Sequence, residues 1–136
     1  QLRFPLTAKL LDSPDTLLIY TCSQNAVKIA QLQALGVKIR PFVGKQLVLT
    51  DVLDALAQDG ITEVHLEAGA TLAGAFVAQG LVDELMLYVA PHLMGSDARA
   101  LFNLPFTRMN QRLALQISDM RAVGHDWRIT AHFSQP

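Results

Sequence analysis

The sequence predicts an α/β domain built on a mixed sheet, with parallel strand-helix units first and an antiparallel hairpin last. Three observations carry this expectation. Compact apolar runs alternate with segments of helical periodicity through residues 16–79. Within that stretch, Val64-His65-Leu66 alternates as a strand does, whereas Leu72, Ala73, Phe76 and Val77 recur at helical spacing, so the period switches at Gly69. Near the end, two alternating segments are separated only by Val123-Gly124-His125-Asp126, short enough for an antiparallel turn.

Taken in order, residues 16–22 form an apolar strand candidate. Ser23 is then placed to cap a helix running to about Leu35 and stopped by Gly36. Residues 37–43 form the next strand, with Pro41 marking an end or an edge. Thr50 and Asp51 offer caps for a helix whose Leu53, Leu56 and Ala57 share a face and which Gly60 closes. Residues 61–67 read as a third strand, leading into a helix that reaches about Gln79 and stops at Gly80. The run Met86-Leu87-Tyr88-Val89-Ala90 lies inside a long strand over 84–91, suited to core packing or to a subunit interface. Finally, Leu113, Leu115 and Ile117 alternate with Arg112, Gln116 and Ser118, and Trp127, Ile129, Ala131 and Phe133 with Arg128, Thr130 and His132. Both are expected to be strands with one buried face.

With 136 residues, 51% of them hydrophobic, one domain over 1–136 with a substantial core is expected. A net charge of -1 with scattered basic residues argues against nucleic acid as a partner. No apolar stretch approaches the roughly 20 residues that span a bilayer, so no membrane partner is expected. Cys22 is the only cysteine, which excludes an internal disulfide and fits a reducing cytoplasm. It follows a strand pattern and reads as a small buried hydrophobe rather than a nucleophile. His65, His92, His125 and His132 lack ligand spacing, so no metal site is expected, and no nucleophile-base set is visible.

The chemistry concentrates at Glu67-Ala68-Gly69-Ala70-Thr71-Leu72-Ala73-Gly74. Ligands of open α/β sheets gather beyond the carboxyl ends of parallel strands, where Glu67 falls. A carboxylate there can accept two N–H donors of a planar heterocycle, or it can simply cap a helix or pair with a lysine. The small residues after it let an anion approach the free N–H groups of a helix start. Gly74 has a second reading, as a residue that only permits close packing. Neither the three-glycine dinucleotide fingerprint nor a Walker lysine is present.

The ordered motifs Glu67-Ala68-Gly69-Ala70-Thr71-Leu72-Ala73-Gly74-Ala75-Phe76, Gly80-Leu81-Val82-Asp83-Glu84, Tyr88-Val89-Ala90-Pro91 and Gly95 resemble the reductase domain of the bacterial riboflavin biosynthesis family RibD. The similarity continues through Ala98-Arg99-Ala100-Leu101-Phe102 and, more weakly, back to Leu2-Arg3-Phe4-Pro5. It implies a dihydrofolate-reductase-like fold and NADPH-dependent reduction of 5-amino-6-(5-phosphoribosylamino)uracil to its ribitylamino product. Hydride would pass from nicotinamide to the open, imine-like sugar carbon. By this resemblance Glu67 binds the pyrimidine, and Gly69, Ala70, Thr71, Leu72, Ala73, Gly74 and Ala75 form the NADPH phosphate turn. Family members usually carry proline where Ala70 stands, so the turn here is less preorganised. The resemblance further implies a homodimer, a domain that begins before Gln1, and a chain poorly active alone. Zinc is implied only in a pyrimidine deaminase domain upstream of this segment. A nucleotide-sensing or oligomerisation module with the same fold is the non-enzymatic alternative.

Overall fold

A computed structural model describes residues 2–134; Gln1 lies outside them. The chain divides into two compact units, with the boundary between Glu63 and Val64.

The first unit is a β-α-β-α succession. Strand β1 (Leu18–Thr21) and strand β2 (Lys38–Pro41) pair in parallel, Tyr20 opposite Arg40 and Thr21 opposite Pro41. Helix α1 (Ala26–Ala34) connects them, as a parallel crossover requires. Its cap is Asn25, whose Oδ1 accepts the Lys28 N–H at 3.0 Å, and Ser23 stands one step back, its Oγ accepting the Asn25 N–H at 3.3 Å. The helix therefore starts later than expected, because the asparagine side chain reaches the first-turn donor directly. Leu32 and Val37 are buried in this unit, whereas Cys22 is only half-buried.

Helix α2 (Leu49–Gln58) also departs from expectation at its start. Val48 holds the cap position without a side-chain hydrogen bond, and Thr50 and Asp51 lie inside the first turn. Asp51 there favours the helix through the macrodipole rather than by capping. Ala55 is the buried residue of α2, Val52, Leu53 and Leu56 are half-buried, and Ala57 is exposed. Arg40 ties β2 to the end of α2, donating to the Ala55 carbonyl at 3.2 Å and pairing with Asp59 at 2.9 Å. The Asp59 hydrogen bond holds the Arg40 guanidinium above its ordinary pKa.

Residues 61–67 are not a strand. Their alternation defines two faces, but a strand exists only where a neighbour completes its ladder, and among the described residues none pairs with them.

The second unit joins helix α3 (Ala70–Ala78) to a three-stranded antiparallel sheet of strands β3 (Glu84–Val89), β4 (Leu115–Val123) and β5 (Asp126–Phe133), ordered β3-β5-β4. Gly124 takes φ +62° in the two-residue turn between β4 and β5, a conformation suited to glycine in a tight hairpin. Leu85, Leu87 and Val89 share a face with Ala131, Ile129 and Trp127 of the central strand. On β4, Leu115 and Ile117 face the same way, but a bulge between Ile117 and Asp119 resets the register, so Met120 and Ala122 continue the apolar face. The expected alternation thus changes phase at Ser118, whose hydroxyl donates to the Thr130 carbonyl at 3.2 Å. The apolar face is buried at Ala131 (2% exposed) but open along β4, where Ile117 is 59% and Met120 58% exposed. Strand β4 therefore does not bury the face that its sequence suggests.

Helices α1, α2 and α3 end alike. The N–H of Gly36, Gly60 and Gly80 returns to Gln33, Ala57 and Val77, and the next N–H, of Val37, Ile61 and Leu81, to Leu32, Leu56 and Phe76, all within 2.9–3.1 Å. This is the Schellman closure, with an apolar residue following each glycine.

Candidate functional site

The segment singled out in the sequence occupies the start of α3. Gly69 is the N-cap, extended at φ -68° and ψ 163°, and no side chain caps the helix. The first intrahelical bond runs from the Ala73 N–H to the Gly69 carbonyl at 3.1 Å. The N–H groups of Ala70, Thr71 and Leu72 precede it and point out of the helix start, where the macrodipole favours an anion. A Cβ added at Gly69 would meet nothing within 4 Å, so the backbone there stands in open space. This donor set fits a phosphate group.

The expected residues separate into two groups. Gly69, Thr71 and Leu72 are exposed and Ala70 is half-buried. Ala73 is buried at 8% exposure, Gly74 is buried and Ala75 is half-buried. A Cβ at Gly74 would overlap the main-chain carbonyl of Asn103 and come within 3.0 Å of its nitrogen. Close packing therefore accounts for Gly74, and the partner is a chain segment rather than a sheet.

That segment is docked by two further bonds. The Asn103 N–H donates to the Ala70 carbonyl at 3.0 Å, and its side-chain Nδ2 donates to Thr71 Oγ1 at 3.0 Å. Asn103 was not singled out by the sequence reading. Its signal was available, since it is the one polar residue in Leu101-Phe102-Asn103-Leu104-Pro105-Phe106.

Glu67 projects into solvent, 83% exposed, with His65 Nε2 3.4 Å from its Oε1. The two share a face, as their spacing predicts. Glu67 neither caps α3 nor pairs with a lysine. Its histidine contact is too exposed to contribute much stability. The carboxylate is thus available to a ligand. Among the other histidines, His132 lies 3.8 Å from Glu84 and 3.3 Å from the Asp83 carbonyl, away from the α3 turn along the sheet.

Parallel βα pairing followed by a three-stranded antiparallel sheet, with an uncapped glycine-led helix behind an exposed carboxylate, is a dihydrofolate-reductase-like arrangement. A family model described as the RibD C-terminal domain matches residues 1–129. The riboflavin biosynthesis protein RibD of Bacillus amyloliquefaciens is 35% identical over 135 residues, covering 96% of this chain and 36% of that protein. A protein named 5-amino-6-(5-phosphoribosylamino)uracil reductase, from Buchnera aphidicola subsp. Acyrthosiphon pisum, is 30% identical over 86 residues, covering 62% of this chain and 42% of that protein. Among solved structures, Acinetobacter baumannii RibD, form 2, superposes with a TM-score of 0.85 at 36% identity, over 98% of this chain and 36% of that one. The chain belongs to the RibD C-terminal domain family. It spans well under half the length of the curated relatives that it matches.

Proposed function

We propose that this chain is part of an NADPH-dependent reductase that converts 5-amino-6-(5-phosphoribosylamino)uracil to 5-amino-6-(5-phosphoribitylamino)uracil in riboflavin biosynthesis. The observation that carries the reading is the family match over residues 1–129, which includes the α3 turn. A relative named for this reductase activity does not favour the non-enzymatic alternative. NADPH supplies the hydride when bound. The protein's part is alignment of donor and acceptor, which needs no conspicuous acid or base.

In this reading Glu67 accepts N–H donors of the pyrimidine, and the helix start at Ala70, Thr71 and Leu72 receives a cofactor phosphate, with the Thr71 and Leu72 N–H groups the donors that remain where relatives carry proline in place of Ala70. Gly69 keeps the approach open. Ala73, Gly74 and Ala75 shape the turn from beneath. The reading extends to a single domain over 1–136 within a larger protein, to a homodimer and to a cytoplasmic setting; no helix among the described residues is long and apolar enough to cross a membrane. Zinc enters only if the larger protein also carries a pyrimidine deaminase domain.

The test uses the full-length polypeptide, with NADPH oxidation followed by absorbance and NADPH affinity by fluorescence titration. Glu67→Gln should raise KM for the pyrimidine roughly tenfold, the scale of one hydrogen bond to a charged group, while leaving NADPH affinity unchanged. Gly69→Val should weaken NADPH without unfolding the protein, because its side chain enters open space. Wild-type affinities for both ligands in both variants would remove the site from this segment.

A further inference from the structure

Thr71 stands in the first turn of α3, with its side chain exposed. A hydroxyl in that position carries one donor and two acceptor sites and can rotate among them. Left alone, it can turn its proton to water or to a nearby carbonyl, so its polarity toward a ligand is unfixed. Here the Asn103 Nδ2–H occupies an acceptor site at 3.0 Å. With that direction taken, the Thr71 proton points away from Asn103 and is free to donate at a helix end already rich in donors.

The asparagine is itself held firmly. Its main-chain N–H is bonded to Ala70 at 3.0 Å, and its backbone fills the space beside Gly74 where any other residue would place a Cβ. Three successive features of α3, the Ala70 carbonyl, the Thr71 hydroxyl and the Gly74 gap, therefore meet one residue of a segment thirty-two positions away. A contact needed only for packing would be complete with the main-chain bond and the glycine gap. The side-chain amide adds a bond to an exposed hydroxyl, which contributes little to stability but fixes a direction.

We infer that Asn103 is a positioning residue of the α3 turn, holding the Thr71 hydroxyl as a hydrogen-bond donor to the anionic group bound there. This rests on reading that turn as the phosphate site of NADPH. Asn103 touches no ligand; it acts through Thr71.

A double-mutant cycle in the full-length polypeptide tests it, with NADPH Kd by fluorescence titration, KM and kcat by NADPH oxidation, and Tm by thermal melting. Asn103→Ala keeps the main-chain bond to Ala70. It should raise Kd and KM for NADPH roughly tenfold while kcat at saturating cofactor and Tm stay near wild type. Thr71→Val should give a similar loss, and the double variant no further loss, since both act through the same hydroxyl. Asn103→Ser is the substitute if the alanine variant does not fold, read by the same cycle. Wild-type NADPH affinity in the Asn103 variant, with affinity lost in Thr71→Val, overturns the inference and leaves the phosphate reading standing. So do additive losses. Unchanged affinity in both Thr71→Val and Gly69→Val overturns the phosphate reading itself, and the inference with it.

Discussion

Helices α1 and α3 finish in the same way and start in opposite ways. Each ends in a glycine closure with paired bonds back to the last turn. At its start α1 is completed by its own chain, with Asn25 accepting the Lys28 N–H at 3.0 Å. Helix α3 begins at Gly69 with no side-chain cap and leaves its first donors facing outward. Helix α2 shows that a missing side-chain cap alone is not distinctive, for it too lacks one, but it carries Asp51 in the first turn to balance the dipole. The first turn of α3 has no acidic residue. The difference teaches that a donor satisfied by the fold is no longer available to a ligand, whereas the first donors of α3 remain open to one.

The largest test of this contrast is Gly74→Ala. Its methyl group must displace the Asn103 backbone, and overpacking of this kind costs about 1–3 kcal/mol. Melting and denaturant titration should show the loss; unchanged stability would mean that the Asn103 segment is not held on α3. Next is Asn25→Ala, which leaves the α1 start as open as that of α3 and should cost about 1 kcal/mol. A loss near zero would show that the cap is not what distinguishes the two helices. The smallest effect is expected from Ala70→Pro, at the first position of α3. Gly69 at φ -68° and ψ 163° already has the extended backbone that a residue before proline requires. Proline should therefore stabilise by about 0.4–1 kcal/mol through the unfolded chain. It also removes one outward N–H, so a rise in Tm with weaker NADPH binding would count that N–H among the phosphate donors.

Features fixed by neighbours in sequence were legible in advance. Gly36, Gly60 and Gly80 stop their helices and Gly124 turns the hairpin, because each takes the positive φ that its local backbone demands. Helix starts were less legible. Ser23 and Asn25 are both good caps, and only the bond to Lys28 decides between them. Features that depend on distant partners could not be read at all. Residues 61–67 have the alternation of a strand without a ladder, and the phase change at Ser118 is visible only through its register against β5. At the candidate site, the placing of Gly69 at a helix start followed from the pattern, but the strand end expected to carry Glu67 is absent, because residues 61–67 have no ladder. The division between Gly69, which opens a space, and Gly74, which admits a chain segment, did not, because both read simply as glycine.

The docking of Asn103 on the first turn of α3 has a consequence for synthesis. A ribosome exposes α3 before it exposes the segment that lies on it, thirty-two residues later. During that interval the helix can form its internal bonds, but the Gly74 gap is unfilled and Thr71 lacks its amide partner. The turn acquires its final geometry only when residue 103 emerges and closes a long loop. A nascent chain arrested between these points would carry the glycine-led helix without the turn's finished form.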